Sequence, residues 1–364
     1  MKDTNEMKEV SKADFNPAML ILARESRSIT QKELAEKLGV TQGWLSRVES
    51  GLREISDDIL PDICTHLDYP MDFFFQKDKI LGFGPTELFN RKRQSVSSKI
   101  LQKIHAQINI RRIQLAKILS GVEMIEDNIP TYDIDEYRGS VEDIAKAVRS
   151  YWYVPPGPIV NLVQLIEDNG GIIIPFEFGT PKIDAMSLPA PGMPPLFFVN
   201  PNSPADRLRF TLAHELAHIV LHQRNVNPEM ENQADRFAAQ FLMPDNEIRP
   251  YLRSLTIQKL MELKLYWKVS MQALIMKATT LEMISKRQAR TLWSKMGVND
   301  YKIHEPLEDE LPKEVPTLYD EIIDVYKDDM HYSLSEFSRL VNMNESEVEN
   351  LYYYKPVNKL RLIK

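Results

Sequence analysis

A chain of 364 residues, 43% hydrophobic and 27% charged, is longer than a usual single domain and holds enough apolar material for two or three cores. No stretch approaches the roughly 18–20 consecutive apolar residues of a membrane-spanning helix, and the polar start MKDTNEMKEVSKADF lacks a signal-peptide core. The single cysteine, Cys64, excludes an internal disulfide framework and a cysteine-built zinc site and is expected as a small core residue; a cytoplasmic protein without a membrane partner follows.

The net charge of −7 does not advertise nucleic acid, but its distribution is uneven. Residues 79–117 hold Lys79, Arg91, Lys92, Arg93, Lys99, Lys103, Arg111, Arg112 and Lys117 against the single acid Glu87. The segment 305–350 is rich in acids.

Residues 17–75 read as a run of short helices. In ITQKELAEKLGVTQGWLSRVESG, Leu34, Ala35 and Leu38 share a helical face, Gly39 interrupts, Thr41 can cap, and Leu45 and Val48 restart the period. Two short helices around a glycine-containing turn form a helix-turn-helix, and DDILPDICTHLDYPMDFFF supplies a further helix to close the core. Over about 60 residues the segment resembles the Xre-type helix-turn-helix family. In such a unit the second helix enters the major groove amino end first. That end is Thr41, Gln42, Gly43 and Trp44, followed by Ser46 and Arg47, while Gln31 would lie over the DNA backbone. Gln can pair with adenine and Arg with guanine or phosphate. Trp44 is unusual on a reading face, where a packing or dimer role competes. Residues 1–77 hold ten Lys/Arg against fourteen Asp/Glu, a net of −4 that opposes phosphate binding. The connector, at +8 over 79–117, compensates if it packs alongside. Otherwise the small domain binds protein, or DNA only as a dimer.

Residues 86–120 are expected as a basic, mostly helical connector, and a new domain begins near 139. VEDIAKAVRSYW (141–152) and GPIVNLVQLIED (157–168) read as helices. IIIPFEF after Gly170-Gly171, IDAMSL and LFFVN read as strands. Ser203-Pro204-Ala205-Asp206 looks like a helix start, with Ser203 as cap and Pro204 at the first helical position. That helix runs to about His222, and a second, from about 230 to 243, ends at Pro244.

The first of these helices carries TLAHELAHIVLH, residues 211–222. Residues four apart differ by about 40° in direction and about 6 Å in rise, so His214 and His218 can point at one ion. Glu215 lies about 60° from His218, within reach of a water on that ion, which is the H-E-x-x-H arrangement of a metal-assisted hydrolase. A buried helix with satisfied histidines is the competing explanation, although burying three histidines and a glutamate without partners is costly. His222 lies about 12 Å along the axis from His214, too far to share the ion. The third ligand therefore comes from elsewhere. In ENQADRFAAQFLMP (231–244), Glu231, Asp235, Ala238 and Leu242 form one stripe, and the short loop 223–229 folds this helix back antiparallel. Glu231 is read as the third ligand, with Asp235 holding the other nitrogen of a ligating histidine. His222 is a helix-end or packing residue beside the ligands; it and Tyr251 are candidates for stabilising an oxyanion.

RFTLAHELAHIVLH together with ENQADRFAAQFLMP resembles the ImmA/IrrE family of zinc metallopeptidases over roughly 140–250. The resemblance implies one zinc ion per chain on His214, His218 and Glu231, with Glu215 as general base. Many members carry Glu-Ala where this chain has Gln233-Ala234, so no ligand is available at 233. Family members act on repressors of phage, mobile-element or stress genes. The fold expected is mainly α with a small β-sheet (α+β): a helix-turn-helix domain over 1–77, a connector over 78–138, a zincin-like domain over 139–250 and a helical region over 251–364. The function expected is a zinc metallopeptidase, coupled to a DNA-binding helix-turn-helix, that cleaves a repressor or antitoxin-like partner. The competing readings are a DNA-binding regulator whose zincin domain binds a partner or ligand without proteolysis, and an amino-terminal unit that serves for dimerisation or repressor docking. Residues 332–352 faintly echo another helix-turn-helix.

Overall fold

The computed structural model describes residues 14–82, 96–123, 127–222 and 227–353. The expected helicity of 86–95, with Arg91, Lys92 and Arg93, lies outside the described residues, as do 223–226 of the loop between the two motif helices. The described chain divides into two compact units: one holds 14–82, 97–123 and 320–353, the other is built on 127–222 and 227–319.

In the first unit, helices Pro17–Ser26 (α1), Gln31–Lys37 (α2), Gln42–Glu49 (α3) and Leu60–Leu67 (α4) follow the sequence period. Thr30 and Glu33 form a capping box that starts α2, and Thr41 accepts from the Trp44 N–H to start α3. Gly39 sits between them at φ +65°, a left-handed turn that favours glycine. Met19, Leu20, Leu34, Leu45, Val48, Ile63 and Leu67 close the core. Cys64 is half-buried rather than in that core. The connector helix Ser98–Leu119 (α5) packs against α1 and buries Ile104, Ile108, Ile113 and Ile118.

The second unit contains Val141–Tyr151 (α6) and Leu162–Asp168 (α7). The helix expected over 157–168 is shortened, because Gly157 adopts φ +99° and the chain stays irregular until Asn161 caps α7. Strands Ile172–Pro175 (β1), Ala185–Leu188 (β2) and Leu196–Val199 (β3) form a three-stranded sheet in the order β1-β3-β2. β3 is parallel to β1 and antiparallel to β2, and all four of its residues are buried.

Helices Ala205–Leu221 (α8) and Met230–Leu242 (α9) pack on each other, and α8 also lies against β2 and β3. Helix α8 starts one residue later than the sequence signal suggests. Ser203 does not cap it: its hydroxyl donates to Asp184 Oδ1 at 2.9 Å, and Pro204 holds the cap position. Helices Ile257–Trp267 (α10), Met271–Thr280 (α11) and Lys286–Val298 (α12) complete the same core through Trp267, Leu274, Ile275, Leu292 and Met296.

Two charged links fix the first half of α8. Lys264, fully buried on α10, binds Asp206 at 2.7 Å and Glu305 at 2.9 Å. Arg209 binds Glu314 and the carbonyls of Ile159 and Lys268, and Glu314 in turn accepts from the N–H groups of Leu162 and Val163. A buried arginine or lysine so paired is costly to disturb, which holds α8 in one position.

The chain then passes through Leu318–Asp324 (α13) into the first unit, where Leu334–Val341 (α14) and Glu345–Val348 (α15) follow. α14 packs on α5, and the Tyr326 and Tyr352 hydroxyls donate to Ile118 O and Gln114 Oε1, each at 2.7 Å. Arg27 of the helix-turn-helix pairs with Glu347. The compact units thus cut across the four expected segments. Residues 257–319 belong with the metal-motif helices, whereas the connector helix and 320–353 belong with the helix-turn-helix. Charge runs and prolines mark where a chain is solvated, not which apolar faces meet.

Candidate metal centre

Helix α8 is apolar on nearly every side, with Leu212, Ala213, Leu216, Ala217, Ile219 and Val220 buried. α9 approaches it through the buried Ala234 and Ala238. Pairing of His214 with Asp235 and of His218 with Glu231 runs in opposite directions along the two helices, as an antiparallel pair requires.

One nitrogen each of His214 and His218 and one oxygen of Glu231 lie within 4.8 Å of one another. His218 Nε2 stands 3.1 Å from His214 Nε2 and 3.4 Å from Glu231 Oε1, and Glu231 Oε2 is 3.6 Å from His214 Nε2. Two imidazole nitrogens so close repel unless a proton or a metal cation sits between them. Two ligands at about 2.1 Å from a tetrahedral zinc would be separated by about 3.4 Å, near the distance found. Glu231 Oε1 is buried and has no hydrogen-bond partner, as expected of a carboxylate oxygen that needs a cation. Two imidazoles and a carboxylate are a zinc donor set that leaves a fourth position open. The residues therefore fit the ion.

Further polar and titratable groups surround this cluster. Asp235 Oδ1 accepts from His214 Nδ1 at 2.9 Å, which puts the ring proton on Nδ1 and turns Nε2 to the centre. Burial alone would lower the pKa of His214, but its hydrogen bond to Asp235 and the nearby carboxylate of Glu231 outweigh that and raise it to about 9. Burial would raise the pKa of Glu231, yet the two histidines hold it well below the usual carboxylate range. Burial lowers that of His222 to about 4, with the neighbouring His218 adding to the effect.

Glu215 is buried and faces β2. The N–H and the hydroxyl of Ser187 both donate to its Oε2, at 2.8 and 2.7 Å. Sequence reasoning missed Ser187; its signal was a polar side chain in the otherwise apolar strand AMSL. It also missed Gln233, whose Oε1 meets His222 Nε2 at 2.9 Å. Tyr251 stands in an aromatic cluster with Tyr266 and Trp267, at ring separations of 5.6 and 5.9 Å.

On the helix-turn-helix, Thr41, Gln42, Gly43, Ser46 and Arg47 are exposed and Trp44 is half-buried, with the Arg53 guanidinium 5.5 Å from its ring centre. The Gln31 amide donates to Glu49 Oε2 at 2.6 Å, and Glu49 is also held by Arg24. Lys99 and Gln102 of α5 border a polar groove of about 320 Å³ together with Thr30, Gln31, Lys32 and Gln42. Three of the other connector bases turn inward: Arg112 donates to Lys79 O at 2.5 Å, Lys117 to Gln76 Oε1 at 2.5 Å, and Arg111 covers the Tyr352 ring, whereas Lys103 is exposed.

Comparison with known families assigns both units. Residues 167–279 match the family model of the IrrE N-terminal-like domain, Peptidase M78, and residues 20–74 match a helix-turn-helix family model. The chain therefore joins a helix-turn-helix of the Xre type to an IrrE/ImmA-like peptidase domain, in a mainly helical α+β fold. No curated protein matches the chain. Among the described residues no helix is long and apolar enough to cross a membrane.

Proposed function

We propose that the chain is a cytoplasmic zinc metallopeptidase coupled to a DNA-binding helix-turn-helix, and that it cleaves a repressor or antitoxin-like protein to control transcription. The observation that carries this reading is the convergence of His214, His218 and Glu231 beside the buried Glu215. One zinc ion per chain would be held by those three side chains. When bound, zinc lowers the pKa of a water and polarises a peptide carbonyl.

The chain's own groups supply the rest. Asp235 keeps His214 turned inward. Ser187 grips Oε2 of Glu215 through two donors, which holds the carboxylate in one orientation. Glu215 takes the proton of the attacking water; as the peptide C–N bond breaks, that proton passes to the leaving amine, giving a carboxylate and a free amino terminus. The exposed Gln42, Ser46 and Arg47 read base edges, Lys99 and Lys32 approach phosphates, and two copies of the unit bind one operator.

The test is cleavage of candidate repressor proteins by the zinc-loaded wild type and by Glu215→Gln. Cleavage by the first and a loss of about 10²–10⁴-fold in the second support the reading. Equal biological activity of the two would assign the domain a non-proteolytic role.

A further inference from the structure

His222 stays outside the ligand set, yet it is buried and both of its ring nitrogens are engaged. Nδ1 lies 2.9 Å from His218 Nδ1, and Nε2 lies 2.9 Å from Gln233 Oε1. The position of its proton follows from a series of donors that begins on the backbone. The Glu229 N–H can only donate, and it donates to Asn227 Oδ1 at 2.9 Å. The nitrogen of the Asn227 amide is thereby the end left for Gln233, and it donates to Gln233 Oε1 at 3.3 Å. Gln233 accordingly presents its oxygen to His222. His222 Nε2 holds the proton, and Nδ1 of that neutral ring is a bare lone pair. Only a proton on His218 Nδ1 satisfies such a lone pair at 2.9 Å. His218 is then left with a lone pair on Nε2, the atom that faces His214 and Glu231.

We infer that Gln233, oriented by Asn227 and acting through His222, is a positioning residue that presents His218 to the metal as an Nε2 donor. The inference rests on the zinc reading of the centre. It makes the two ligand histidines unequal: a carboxylate, Asp235, sets the tautomer of His214, while a neutral imidazole–amide relay sets that of His218. The relay fixes ring orientation without placing a further negative charge beside Glu231.

The experiment measures zinc affinity of the full chain by competition with a chelator, for wild type, Gln233→Leu and Gln233→Glu. Removing the acceptor in Gln233→Leu weakens binding about 10–100-fold, the usual effect of losing such a partner, whereas Gln233→Glu, which still accepts from His222, stays near wild type. A wild type that binds no zinc overturns the metal reading itself. Zinc held equally by wild type and Gln233→Leu overturns the relay alone. A second readout does not depend on the variants folding: ¹⁵N-imidazole spectra of zinc-loaded wild type, with the His222 signals assigned through His222→Asn. The relay requires a proton on Nε2 and none on Nδ1 of His222; a proton on Nδ1 refutes it.

Discussion

Zinc loading should release a proton from His214, and the size of the effect follows from the geometry. Burial opposes the charged ring, but the hydrogen bond to Asp235 and the nearby Glu231 carboxylate win and raise its pKa from 6.5 to about 9 in the metal-free fold. At pH 7 this ring is two units below its pKa, so roughly 99 in 100 metal-free chains carry the proton. It sits where His214 Nε2 meets His218 Nε2 at 3.1 Å, and zinc must displace it. A raised pKa means a tighter competing proton, so zinc affinity rises with pH through the folded pKa and levels above it. At pH 7 the affinity lies roughly 100-fold, or about 2.7 kcal/mol, below the plateau reached well above pH 9. Titration calorimetry at pH 7, in two buffers of different ionisation enthalpy, counts the protons released. Asp235→Asn removes the strongest raising partner, shifts the pH dependence to lower pH, and so separates the His214 share from that of other groups. A wild-type zinc affinity that is flat from pH 7 to pH 9, without proton release, would refute the reasoning.

Ser187→Ala deletes the hydroxyl donor to Glu215 Oε2 but keeps the N–H; thermal melts should show a loss of about 1 kcal/mol, with zinc content unchanged and turnover reduced. Lys99→Ala should weaken DNA binding evenly across sequences and reduce the salt slope by about one unit, whereas Arg47→Ala should relax sequence preference in a salt-dependent shift assay. Unchanged salt slopes in Lys99→Ala would remove α5 from the DNA-binding face.

The helices that carry the centre were legible because their signals are local. An i, i+4 pair on α8 and another on α9 direct four polar side chains to one side, whatever the rest of the chain does. Other features depended on distant partners. Ser203 has the look of a cap, but Asp184, 19 residues earlier, claims its hydroxyl. Gln31 gives its amide to Glu49, 18 residues on. Ser187 reaches Glu215 only because β2 lies along α8. Gln233 reaches His222 only because α9 packs against α8. The assignment of 320–353 to the helix-turn-helix unit rests on Tyr326, Phe337 and Tyr352 finding the apolar side of α5, which no local pattern announces.

The most direct test of the account is the zinc content of the purified full chain, measured by elemental analysis for wild type, His218→Ala and Glu231→Ala at equal protein concentration. One zinc per chain in wild type, and its loss from both variants, is the predicted result. A wild type without zinc, or stoichiometric zinc retained by either variant, would contradict the assignment of His214, His218 and Glu231 as the metal site.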